Sequence, residues 1–284
     1  MASLIDKLIA GISPHSTSIR GMASTLLAAP LVVAGAAGHA QADVEHLLHV
    51  LLGLVDVAKA LKAHGVYPDD VLEAVEQLLD DRAPLQGDAR PTRSPRLQTV
   101  TDLALRLGGS SADVITSVAA ALPRELVFLR RPLEEAAREV APLYDGALAA
   151  KDGALTFQAW DPDLRGVMAT MQNLADTKWK PWTMGSLTLL LTILCSRRYF
   201  EALQARGVVA TELIAEIGRA LPTPRWTRPP PEGHVAGIGP SLYATILRAE
   251  HYAAEDASDV RLRHVLASLH DEPLLAPFVE RIAG

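Results

Sequence analysis

The sequence predicts an all-α protein made of two tandem domains of similar helical plan, and three observations carry that prediction. Apolar residues make up 49% of the chain and aromatics only 5%, so the cores must be built from Leu, Ala and Val, the composition of packed helices. A stretch also recurs: Ala60-Leu61-Lys62-Ala63-His64-Gly65-Val66 returns 142 positions later as Ala202-Leu203-Gln204-Ala205-Arg206-Gly207-Val208. Finally, 284 residues exceed one comfortable core, and two units of roughly 140 residues agree with that offset.

Residues 1–18 read as an N-terminal extension, with a short amphipathic pattern over Leu4-Ile5-Asp6-Lys7-Leu8-Ile9 that Pro14 and its serines end. The first domain is expected over 19–143. From Ile19 to Ala37 the pattern is helical, and Pro30 and Gly35 predict a kink or two shorter helices, with Gly38 suited to a helix C-terminus. Asp43 caps the next helix, whose Val44, Leu47, Leu48, Leu51 and Leu52 form one apolar face. A third helix from about Val55 stops at Gly65, and Pro68-Asp69-Asp70 starts a fourth with acids where the helix dipole favours them. After a polar connector over Asp80 to Arg93, Ser94-Pro95 opens a helix to Leu107, Asp113 opens a short apolar one to Leu122, and Pro132 to Val140 forms the last.

Small and glycine-containing, 144–160 is the expected linker, and 161–284 the second domain. Its helices fall at Pro162 to Ala175, Gly185 to Cys195, Tyr199 to Arg206 and Thr211 to Ala220. Leu221 to Pro240, with Pro229-Pro230-Pro231, reads as an extended connector. Helices over Leu242 to Ala254 and Val260 to His270 complete the set, Pro240 standing 145 positions after Pro95.

Composition removes several functions. A net charge of −6 with signs mixed throughout does not suit a protein that coats nucleic acid, which needs a basic face to displace counterions. One cysteine, Cys195, excludes an intramolecular disulfide and a cysteine-rich zinc site, and reads as a helix-core residue. Arg20 followed by the apolar run Leu26 to Ala37 imitates a secretory signal, but the acid and length before its basic residue favour a buried helix. Neither that run nor Leu187 to Cys195 reaches the roughly 20 apolar residues of a membrane span. The expected setting is cytoplasmic, without nucleic acid or membrane partners.

Val44-Glu45-His46-Leu47-Leu48, then Gly65-Val66, then Ser94-Pro95-Arg96-Leu97 together resemble the amino-terminal domain of Clp-type AAA+ unfoldases. The resemblance implies an all-helical pseudo-twofold pair of half-repeats in each domain, four half-repeats in all. Arg263-His264-Val265-Leu266 is similar to the motif of the fourth, and the other two are degenerate. The unfoldases carry ATPase modules after this domain, and no Gly-x-x-x-x-Gly-Lys-Ser/Thr phosphate loop occurs in this sequence.

The candidate ligand-binding residues are Glu45, His46, Arg263 and His264. In some members of the family that this chain resembles, the motif glutamate grips the guanidinium of a phosphorylated arginine through a bidentate charge-assisted pair. The resemblance places its counterparts near Val114, at Leu187 and at Arg263, so at most one of four such pockets is retained; a helix-start glutamate satisfying the dipole is the competing role. His46 and His49 lie on adjacent turns, yet the zinc-protease pattern needs His-Glu-x-x-His, so His46 is expected to be a buried, hydrogen-bonded histidine and no metal or cofactor is implied. Trp179, Trp182 and Trp226 with Lys178, Lys180, Arg225 and Arg228 make basic aromatic clusters, read as packing before partner surface. No nucleophile, base and orienting group fall in a recognisable order. The function expected is non-catalytic recognition of a protein or peptide: an adaptor, regulator or decoy for Clp unfoldase or protease components or their clients. The alternative is a building block of a contractile secretion or other assembly that binds partner helices.

Overall fold

An apolar helix with no polar face must be covered on all sides, and the first helix of the described residues is such a helix. In this computed structural model, which describes residues 21–87, 89–146, 160–179, 181–221, 226 and 228–283 (residue 198 by its backbone), helix α1 spans Met22–Ala37. The expected Leu4 to Ile9 helix, most of the linker, Lys180 and Arg225 lie outside the described residues. Despite Pro30 and Gly35, α1 is one helix rather than two. Proline removes a single hydrogen bond of the ladder, and burial of Met22, Leu26, Leu27, Ala29 and Ala34 holds the segment helical on both sides of it. Gly38 ends it in the left-handed conformation, φ 75°.

The chain continues through β1 (Gln41–Ala42), α2 (Val44–Leu52), α3 (Val55–Ala63), α4 (Pro68–Asp80), β2 (Thr92–Arg93), α5 (Pro95–Leu107), α6 (Ser111–Ala120), a 3-10 turn (Arg124–Leu129) and α7 (Arg130–Tyr144). The second half runs α8 (Pro162–Leu174), a π turn (Ala175–Trp179), β3 (Thr183–Met184), α9 (Ser186–Cys195), α10 (Arg197–Ala205), α11 (Ala210–Ala220), β4 (Gly237–Ile238), α12 (Pro240–Glu255), α13 (Leu262–His270) and α14 (Ala276–Ala283). Among the described residues the protein is all-α apart from two short parallel ladders, β1 with β2 and β3 with β4.

The repeat is structural as well as sequential. Helices α9, α10 and α11 start 142 positions after α2, α3 and α4, and β4 and α12 start 145 positions after β2 and α5. Gly65 and Gly207 each turn the chain with φ near 76°, a conformation a Cβ disfavours. The short ladders and α14 lie outside the sequence reading: two-residue strands leave no period to detect, and α14 follows a five-residue loop.

The two halves share one continuous apolar core. α1 packs on α2 and α6 of its own half and on α12 of the other. Trp182 lies so close to Gly35 that a Cβ there would sit 2.6 Å from the ring, and its Nε1 donates to the Arg228 carbonyl at 2.6 Å. Trp226 packs edge-on against His39 and tilted against His49, with ring centroids 6.2 and 4.9 Å away. These tryptophans therefore fasten the second half to the first, the packing role. Cys195 differs from its expectation: it ends α9 in an exposed position rather than in the core.

Candidate functional site

The first four N–H groups of a helix have no partner inside it, and this chain answers that need in the same way four times. The third residue of α2, α6, α9 and α13 reaches back to the backbone N–H of the residue before the helix. His46 Nδ1 accepts from Asp43 N at 3.0 Å, Asp113 Oδ2 from Ser110 N at 3.0 Å, Thr188 Oγ1 from Gly185 N at 3.2 Å, and His264 Nδ1 from Arg261 N at 3.0 Å. With Nδ1 accepting, His46 carries its proton on Nε2, which lies 2.9 Å from His39 Nδ1. Its ring is fully buried, and burial together with the charges of His39 and Arg82 pulls its pKa down to about 3. His264 is likewise buried, with Nε2 2.9 Å from Asp256 Oδ2. Both histidines are thus engaged within their own half-repeats, and among the described residues no three His, Cys, Asp or Glu side chains gather as a metal ion would require.

Glu45, one position earlier, is 2% exposed at the start of α2. Its carboxylate already holds two guanidiniums: Oε2 accepts from Arg82 Nη2 at 2.7 Å, and Oε1 from Arg96 Nη2. Asp43 closes the lattice, accepting from Arg82 Nη1 at 2.7 Å, Arg96 Nε at 3.1 Å, Ser94 Oγ at 2.8 Å and Val44 N at 2.8 Å. Burial opposes ionisation of Asp43, but the hydrogen bonds of Ser94 and Val44 and the charge of Arg96 outweigh it and hold its carboxyl below the usual range. An incoming guanidinium meets a carboxylate whose oxygens are already engaged. Helix starts place the counterparts of Glu45 at Ala112, Leu187 and Arg263, so Val114, a fully buried core residue, is two positions out of register. At α6 the equivalent need is met by Asp145, whose carboxylate accepts from Ser111 N at 2.7 Å and Ala112 N at 3.0 Å.

The substitution Glu45→Gln leaves Arg82 and Arg96 facing an amide and should cost about 1–3 kcal/mol in urea unfolding, the lower figure reflecting partial exposure of both guanidiniums. An unchanged midpoint would show that Glu45 does not hold the fold.

Arg263 lies elsewhere, at the mouth of a groove of about 680 Å³ between α10, α13 and α14. Its guanidinium pairs with Asp256 at 2.9 Å. Ala202, Leu203, Leu262, Leu266, Val279 and Ile282 give the groove an apolar lining. The first half shows what this surface needs: the matching face of α3, Val57, Ala60 and Leu61, is buried beneath α7, and the recess left by His64, Arg131, Pro132 and Glu135 is about 310 Å³. In the second half Tyr199 is half-buried and Ala202 exposed, because α14 has 8 residues where α7 has 15. The sequence contained this face inside its clearest repeat; what opened it lay in the unmatched last helix.

Glu45 and His46 therefore come together with Asp43, Arg82, Arg96 and His39, whereas Arg263 borders the groove with its neighbour His264 buried behind it. Among the described residues no helix is long and apolar enough to cross a membrane. Residues 22–122 match the family described as the Clp repeat (R) N-terminal domain. No curated protein matches the chain.

Proposed function

We propose that this chain is a recognition protein, because residues 22–122 match the Clp repeat (R) N-terminal domain, a kind of domain that binds protein substrates or adaptors. It acts by binding, as an adaptor, regulator or decoy in a cytoplasm that also holds a Clp unfoldase, and the sequence given carries no phosphate loop with which to drive unfolding. A free recognition domain competes for clients by mass action alone. In this reading the chain has two units, 19–143 and 161–284, and the segment 144–160 between them begins at the last residue of α7.

One observation carries the choice of surface: the apolar groove of the second half lies open while its counterpart in the first is filled by α7. Concave apolar surface rimmed by charge is where a partner's helix docks. In this reading Arg263 belongs to the docking rim, and Glu45, His46 and His264 serve the helix starts. The same groove also favours the assembly alternative, in which the gripped helix belongs to a scaffold rather than a degradation client.

The test is affinity capture from native lysate with the whole chain, with Ala202→Glu and with Glu45→Gln. Recovery of Clp components or their clients, lost only with Ala202→Glu, is the expected result, and scaffold proteins lost in the same way would select the assembly role. Proteins retained equally by all three baits would end the groove reading.

A further inference from the structure

The two halves differ most where they should agree, and the difference describes a missing neighbour. On α3 the apolar row Val57, Ala60 and Leu61 is covered by α7, and the row ends at His64, whose Nε2 lies 2.7 Å from Glu139 Oε1. The corresponding row on α10 is Tyr199, Ala202 and Leu203, ending at Arg206. There the guanidinium donates to a backbone carbonyl, that of Ile282, at 2.8 Å. A carbonyl satisfies a hydrogen bond but carries no formal charge, and among the described residues no carboxylate pairs with Arg206, whereas Arg263 and His270 on the same rim pair with Asp256 and Glu280.

From this charge complementarity we infer that the groove receives an amphipathic helix of a partner protein, with a carboxylate placed to meet Arg206 as Glu139 meets His64. The occupant's apolar face follows α7, which buries Leu133, Ala136, Ala137 and Val140, a spacing of one helical stripe with small residues at its centre. Glu139 lies beside Val140 at the edge of that stripe. An incoming helix of this kind covers Ala202 and Leu203 with its apolar row and delivers its carboxylate to the rim, where the pairing sets register more than affinity. The inference rests on the recognition role proposed above and adds the chemistry of the occupant.

A fluorescein-labelled synthetic peptide of residues 130–144 is the probe, titrated by anisotropy into the full chain. Saturable binding is expected, weakened at least tenfold by Arg206→Glu in the protein or by Glu139→Lys in the peptide, and largely restored when the two changes are combined. Ala202→Glu, at an exposed position, should abolish binding with an unaltered thermal unfolding curve. Absence of binding to the folded chain would overturn the inference, as would equal affinity across the charge swap. So would sedimentation showing that Ala202→Glu dissolves a dimer, which makes a second copy the occupant, or tighter binding after removal of residues 1–20, which makes that segment the occupant. Lysate partners lost with Ala202→Glu but indifferent to Arg206→Glu would leave the recognition role standing and remove the acidic helix.

Discussion

Arg248→Leu lowers the unfolding free energy by about 3–5 kcal/mol, the range for removing one member of a buried ion pair and leaving the others. Arg248 is 4% exposed, and its Nη1 donates to Asp56 Oδ2 at 2.6 Å while Nη2 donates to Glu272 Oε1 at 3.0 Å. Tyr144 completes the arrangement, its hydroxyl donating to the same Asp56 oxygen at 3.0 Å. Burial disfavours the guanidinium, but Asp56 and Glu272 more than compensate and raise its pKa. Burial and the Asp56 charge push the Tyr144 phenol well above its ordinary value, so it remains a donor. Asp56 and Tyr144 come from the first half, Arg248 and Glu272 from the second. The leucine variant therefore leaves two carboxylates on opposite sides of the seam without their common cation. Urea unfolding followed by far-ultraviolet dichroism and tryptophan fluorescence should show the wild type in one transition and the variant in two, the second half melting first. A loss under 1 kcal/mol in a single transition would mean that apolar contact alone joins the halves.

Mild acid produces the second large effect. His46 has a folded pKa of about 3 against an ordinary value of 6.5, so between those limits the unfolded chain binds the proton and the folded chain does not. Its contribution is complete above pH 6.5 and declines as pH falls toward 3. His39, also lowered by burial and by Arg82, acts in the same direction. From pH 7.5 to 5, where most carboxylates are still ionised, His46 alone should remove about 2 kcal/mol, each pKa unit being worth about 1.4 kcal/mol. His46→Thr keeps an acceptor for the Asp43 N–H, as Thr188 does for Gly185, and should flatten the pH dependence of urea unfolding over that interval. An equally steep slope in the variant would assign the acid sensitivity to other groups.

Helix positions were legible wherever a cap or a glycine marked an end: Asp43, Ser94, Gly65 and Gly207 lie where local chemistry requires them. The repeat was legible because its offset is constant over α2 to α4 and α9 to α11. Pro30 misled, since sequence shows the hydrogen bond that proline removes and not the packing on both faces that outweighs it. The histidine at the third helical position was readable as structural, but the guanidiniums that engage Glu45 were not. Arg82 and Arg96 are 37 and 51 residues away from it, and no local pattern brings them there. The groove was invisible for a related reason: it is defined by what fails to cover Ala202, and an uncovered face has the same letters as a covered one.

The placement of α1 also sets an order of events during synthesis. Its residues 22–37 leave the ribosome well before α12, which covers part of their surface and begins at Pro240. For the more than two hundred residues made in between, an apolar rod of sixteen residues lacks one of its walls. Long-range closure of this kind is slow and exposes sticky surface meanwhile. A nascent chain stopped before α12 should consequently be held by chaperones or aggregate, and α1 gains its missing wall only once α12 has been made.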